Sequence, residues 1–247
     1  MPGLLDSHCH LDFPAYDGQR DALLTRAREA GVQGVVVPAT HPDTWARTCS
    51  MAALPGVRVA LGLHPVFIPR GGLEPGDLAG ALQSQLVESG AVAVGECGLH
   101  KGPIPFSLQE QLLRVQLQVA RALDLPVILH CVGAHGRLLA LLQDFGPLRG
   151  VLHSYSGSAE MVPAYAALGL HFSFGWPVTW EEARRVRSAL SATPPGRLMV
   201  ESDGPDLPHR RGHPSADPPQ PADVAAIAAH MAALGHTPGW GPFTPWD

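Results

Sequence analysis

No stretch of the chain approaches the roughly 18 to 20 consecutive apolar residues that a membrane-crossing helix needs. The beginning of the sequence also lacks a basic segment followed by an apolar run of secretory type, so a cytoplasmic protein is expected. Cysteine is scarce. Cys9, Cys49, Cys97 and Cys131 show no pairing pattern, which points to reduced thiols rather than a disulfide framework. Positive charge is not in excess either: 17 Lys+Arg against 22 Asp+Glu leave a net charge of -5, which argues against a broad electrostatic footprint for nucleic acid. Any nucleic acid would have to be held locally. No Gly-x-Gly-x-x-Gly follows the first apolar segment, which counts against a dinucleotide-binding fold.

What remains is a 247-residue chain that is 45% hydrophobic, long enough for one large domain. Its apolar segments alternate in kind. Leu4-Leu5-Asp6, Val35-Val36-Val37, Val57 to Leu61, Ala91 to Val94, Val127 to Leu129, Val151-Leu152, Leu170 to Phe174 and Leu198 to Val200 read as strands. Between them, helical spacing runs over 21–30, 43–54, 77–89, 107–123, 134–144, 159–168, 181–190 and 222–234, with Gly31 closing the first helix and Ser107 with Glu110 as a capping-box pair. About eight strands alternating with helices specify parallel βαβ units, and at this length a single-domain (β/α)8 barrel, distorted from the regular form. The barrel is expected to end near residue 234. Residues 235–247, rich in proline, glycine and tryptophan, form a tail that cannot be a helix.

Thirteen histidines are the unusual feature of the composition. His8 and His10 follow the first strand, and at a period of two their imidazoles share a face. Further polar groups stop at matching places: His64 after the third strand, Glu96 after the fourth, His130 after the fifth, His153 after the sixth and Asp203 after the eighth. Taken singly, each has a plain structural reading, such as turn chemistry for Asp203 in Ser-Asp-Gly-Pro. Together they fall on the one barrel face where active sites of this architecture are built. Such a nitrogen and oxygen donor set suits one or two divalent ions such as Zn, Mn or Mg. Cys9, Cys97 and Cys131, each beside a candidate ligand, face the other way and read as packing residues.

The segments Asp6-Ser7-His8-Cys9-His10-Leu11-Asp12, Gly62-Leu63-His64-Pro65, Gly95-Glu96-Cys97-Gly98-Leu99, Pro126 to His130, His153 to Gly157 and Glu201-Ser202-Asp203-Gly204-Pro205 resemble, in order, those of the TatD family of metal-dependent hydrolases, within the amidohydrolase-like superfamily. The resemblance implies that His8, His10, Glu96 and Asp203 hold one metal and Glu96, His130 and His153 a second, with Glu96 bridging. It also implies a water acidified between two cations, Asp203 as general base, and His64 as a substrate contact. The implied activity is hydrolysis of DNA or small phosphodiesters by a monomer or small homo-oligomer away from any membrane. The superfamily's other chemistry, an amidase or lactonase, is the alternative.

Two positions depart from the family pattern: His100 stands where Gly-Leu-Asp is usual, and Cys131-Val132 where Ser-Arg is usual. If a phosphate is bound, the cations nearest by position are Lys101, His135, Arg210 and Arg211.

Overall fold

The computed structural model describes residues 3–69, 72–205 and 218–243. Eight parallel strands run β1 (Leu4–Asp6), β2 (Val32–Pro38), β3 (Val57–Leu61), β4 (Ala93–His100), β5 (Val127–Val132), β6 (Gly150–Leu152), β7 (Leu170–Phe174) and β8 (Leu198–Val200). Each pairs with the next in chain order. The helices that return the chain are α1 (Arg20–Glu29), α2 (Trp45–Ser50), α3 (Pro75–Ser89), α4 (Phe106–Ala122), α5 (His135–Phe145), α6 (Val162–Ala167), α7 (Arg184–Ala192) and α8 (Asp223–Ala233). This is the expected (β/α)8 barrel, nearly closed, with one unsealed seam between β1 and β8. Among the described residues no helix is long and apolar enough to cross a membrane.

The seam is stitched just beyond the strand ends. Ser7 N–H donates to Val200 O at 3.1 Å, Asp203 N–H to His8 O at 2.9 Å and His10 N–H to Gly204 O at 2.8 Å. Beneath them the buried Asp6 carboxylate accepts from Ser202 N–H at 2.9 Å and from Ser202 Oγ at 2.6 Å. The first and last strand ends are therefore fixed to one another where candidate ligands leave both.

Alternation along the strands divides the apolar residues into two sets. Leu5, Val36, Ala60, Ala93, Ile128, Val151 and Met199 form one cluster, one residue from each of seven strands, and the larger cluster lies between strands and helices. Phe243, at 6% exposure, joins the smaller set. Residues 239–243 reach it by turning along the seam: Gly239 N–H donates to Leu198 O at 2.8 Å and Trp240 Nε1–H to Gly3 O at 2.7 Å. Among the described residues of the tail, 235–243, the only helical turn is the 3-10 turn Gly241–Phe243. Trp246, the other tryptophan of that tail, lies outside the described residues.

Local differences from the sequence reading have local causes. The Ser107–Glu110 capping box does not form, because Pro105 with φ -58° already precedes the first turn and places Ser107 inside α4. Glu110 instead pairs with Arg137 at 2.8 Å. The segment 43–54 is not one helix but α2 between two 3-10 turns, Pro42–Thr44 and Met51–Ala53. β4 and β5 run further than expected, so Glu96 and His130 lie within strands rather than after them. Gly98 makes this extension feasible. It has φ +151°, and a Cβ there would sit 1.9 Å from His130 O, so only glycine allows so close an approach of β4 to β5.

Candidate metal centre

Glu96, 1% exposed, is the hub toward which the other strand ends point. Its two oxygens face different partners. Oε2 lies 3.2 Å from His8 Nε2 and 3.4 Å from His10 Nε2. Oε1 lies 2.7 Å from His153 Nε2, 2.9 Å from His130 Nδ1 and 3.3 Å from His64 Nε2. On the first side His8 Nε2 and His10 Nε2 are 3.3 Å apart, and Asp203 Oδ1 lies 3.7 Å from His8 Nε2. On the second, His130 Nδ1 and His153 Nε2 are 3.0 Å apart. Asp203 has φ +50°, a left-handed conformation that aspartate tolerates better than most residues, and its N–H bond to His8 O helps hold it there. All six expected ligands thus converge, as does His64.

Hydrogen bonds at the outer ring nitrogens fix what the inner ones can offer. His10 Nδ1 donates to Pro38 O at 3.2 Å, because a carbonyl only accepts, and this leaves a lone pair on Nε2 toward Glu96. His64 is the reverse. Its Nδ1 accepts from Val66 N–H at 3.2 Å, so the neutral ring carries its proton on Nε2 and donates it toward Glu96. His64 Nε2 lies close enough to Glu96 and His130 to complete a ligand triad by distance, but its tautomer makes it a donor rather than a ligand. His153 Nδ1 is turned toward Glu201 Oε1 at 3.6 Å.

The electrostatics suit a cation. Burial alone would raise the Glu96 carboxyl, yet His153, His64 and His8 around it and the His130 hydrogen bond hold it well below the usual carboxylate range. Burial pushes His8 down to about 4 and His130 down to about 3, so both are neutral and have lone pairs to give. His153 is the exception: burial lowers it, but Glu96 and Glu201 outweigh burial and raise it well above the usual imidazole range. That imidazolium between two buried carboxylates is a positive charge that a divalent ion would replace. Burial lifts Asp203 to about 7. His8 Nδ1 and Glu201 Oε2 are buried with no hydrogen-bond partner among the described residues. Four imidazoles, two carboxylates and no thiol fit Zn, Mn or Mg.

Three sequence expectations change or stay open. His135 is not a phosphate-facing cation: it is 8% exposed, burial pushes it down to about 4, and its ring packs on Tyr155 and Tyr165. Lys101 is exposed beyond the end of β4. Arg210 and Arg211 lie outside the described residues.

The sequence assigns no role to Glu201 or Asp6, and marks His100 only as a departure from the family pattern. Glu201 takes Ser154 N–H at 2.6 Å and faces His153; Asp6 ties β1 to β8; His100 Nδ1 lies 2.9 Å from His130 Nε2. The signal for the first two was the period of two, which puts Glu201 on the face of Asp203 and Asp6 on that of His8. The free thiols of Cys9, Cys97 and Cys131 are buried in the strand–helix layer, as expected of packing residues.

The family model for TatD related DNase matches residues 5–239. The metal-dependent hydrolase YjjV of Escherichia coli is 36% identical over 234 residues, 92% of this chain and 89% of that protein. The 3'-5' ssDNA/RNA exonuclease TatD of Cronobacter turicensis is 32% identical over 210 residues, 83% of this chain and 79% of that one. The crystal structure of Escherichia coli YjjV superposes with a TM-score of 0.82 at 33% identity, covering 94% of this chain and 90% of its own.

Proposed function

Since the chain belongs to the TatD-related DNase family of metal-dependent hydrolases, we propose that its barrel mouth holds two divalent ions and cleaves phosphodiester bonds of DNA, single-stranded ends above all. His8, His10, Glu96 and Asp203 would hold one ion, and Glu96, His130 and His153 the other. The observation that carries this reading is the division of the Glu96 carboxylate, one oxygen to His8 and His10, the other to His130 and His153. Ions held there supply Lewis acidity at the phosphate and an activated water near neutral pH.

The chain's own residues do the rest. His64 keeps a proton on Nε2 at the mouth and donates it to a phosphate oxygen when substrate displaces the Glu96 contact. Asp203, beside His8 at 3.7 Å, would serve as the general base toward the attacking water. The preference for single-stranded ends is carried over from the relative named 3'-5' ssDNA/RNA exonuclease TatD.

The test is turnover of single-stranded DNA and of bis-p-nitrophenyl phosphate with added Mn, Mg or Zn, run beside a panel of amides and lactones. Hydrolysis of the phosphodiesters is expected. Turnover of the amide or lactone panel alone would overturn the reading.

A further inference from the structure

His100 is held by its main chain and aimed by its ring. Its N–H donates to Gln109 Oε1 at 2.8 Å and its carbonyl accepts from Gln109 Nε2 at 3.0 Å, while Gln109 itself is buried in α4. From that fixed backbone His100 Nδ1 meets His130 Nε2 at 2.9 Å. The ring planes are within 13° and the centroids are 5.2 Å apart. That separation exceeds the nitrogen–nitrogen distance by about one ring width. The two imidazoles therefore lie end to end in nearly one plane, the arrangement of an N–H···N hydrogen bond rather than of a face-to-face stack.

One of these nitrogens must donate and the other accept. Which does which is decided at the far side of His130, where Nδ1 lies 2.9 Å from Glu96 Oε1. With no ion between them, His130 Nδ1 donates its proton to the carboxylate, Nε2 keeps the lone pair, and His100 Nδ1–H donates to it. With an ion there, Nδ1 must give a lone pair, so Nε2 carries the proton and His100 Nδ1 accepts. A carboxylate could only accept; an imidazole can do either.

We propose that His100 is the positioning residue of the second ion, a partner that keeps His130 directed at Glu96 and His153 in both states by reversing the direction of one hydrogen bond. The inference rests on the two-ion reading. The protons balance: as the ion arrives His130 Nδ1 and His153 Nε2 each release one to solvent, one crosses from His100 Nδ1 to His130 Nε2, and His100 Nε2 gains one from solvent, a net release of one. A partner able only to accept would support the loaded state alone, so His100→Asp should hold the second ion more tightly than the wild type. His100→Phe, with no acceptor, should hold it more weakly. Outer partners of ligating histidines commonly change affinity by about 10- to 100-fold, and at least about tenfold is expected in each direction.

The direct readout is the tautomer. In the full-length chain labelled with 15N-histidine, long-range proton–nitrogen spectra of the metal-free and zinc-loaded protein should show the proton leave His100 Nδ1 and appear on His130 Nε2. An unchanged His100 tautomer on zinc loading would overturn the proposal, as would equal second-site zinc affinity in the wild type, His100→Asp and His100→Phe. If the wild type binds one zinc only, the two-ion reading fails, while the spectra still decide the role of His100: exchange of the tautomers supports it and their constancy overturns it.

Discussion

Glu96 Oε1 lies 2.7 Å from His153 Nε2, the shortest contact that this carboxylate makes with the surrounding imidazoles. With His153 raised well above the usual imidazole range, that contact joins an imidazolium to a carboxylate in a buried site, the local charge pattern that an ion would take over. Glu96→Ala removes the group shared by both sides of the site. Activity should fall by more than about 100-fold, beyond the usual effect of losing an outer partner, with bound metal per chain, measured by elemental analysis, falling as well.

His64 should behave differently. Because Val66 N–H occupies its Nδ1, the proton on Nε2 serves the substrate and not the ion. His64→Ala should lower kcat/KM by roughly tenfold, about 1.4 kcal/mol of transition-state stabilisation, and leave metal content unchanged. Steady-state kinetics beside metal analysis checks both halves.

The pH dependence of stability should carry a signature of His135. Its pKa falls from 6.5 to about 4, mainly through burial. Below about pH 6.5 the unfolded chain binds a proton that the folded chain does not, so this contribution is complete above the unfolded value and is lost as pH falls toward the folded one. Urea midpoints of the metal-free chain at pH 7.5 and pH 5 should therefore differ less for His135→Gln than for the wild type. The His135 share is up to about 2 kcal/mol at pH 5.

Phe243 should matter although it lies past the last helix. It packs with Leu5, Ile128 and Met199 at the seam cluster, and Phe243→Ala should cost about 3 to 5 kcal/mol in urea unfolding with little change in metal content.

The seam also explains what was legible in the sequence and what was not. The imidazoles of His8, His10, His130 and His153 could be read because each follows a short apolar run and the barrel topology carries every such segment to one face. β3, β7 and β8 matched residue for residue, since β-branched or aromatic runs bounded by Gly, Pro or charge leave little choice of boundary. Asp6 and Glu201 escaped because their partners, Ser202 and Ser154, are created by strand closure and have no local trace. The tautomer of His64 was hidden for the same kind of reason: it depends on a 3-10 turn at Pro65–Phe67 that presents Val66 N–H. His135 looked like a free cation because helix α5 begins there, and only the packing of Tyr155 and Tyr165 shows the ring to be buried and neutral.

If Glu96 is shared by two ions, anomalous scattering from crystals grown with Zn or Mn will show two peaks, one beside His8, His10 and Asp203 and one beside His130 and His153, with a Glu96 oxygen on each. A single peak, or two peaks that do not share Glu96, would contradict that sharing.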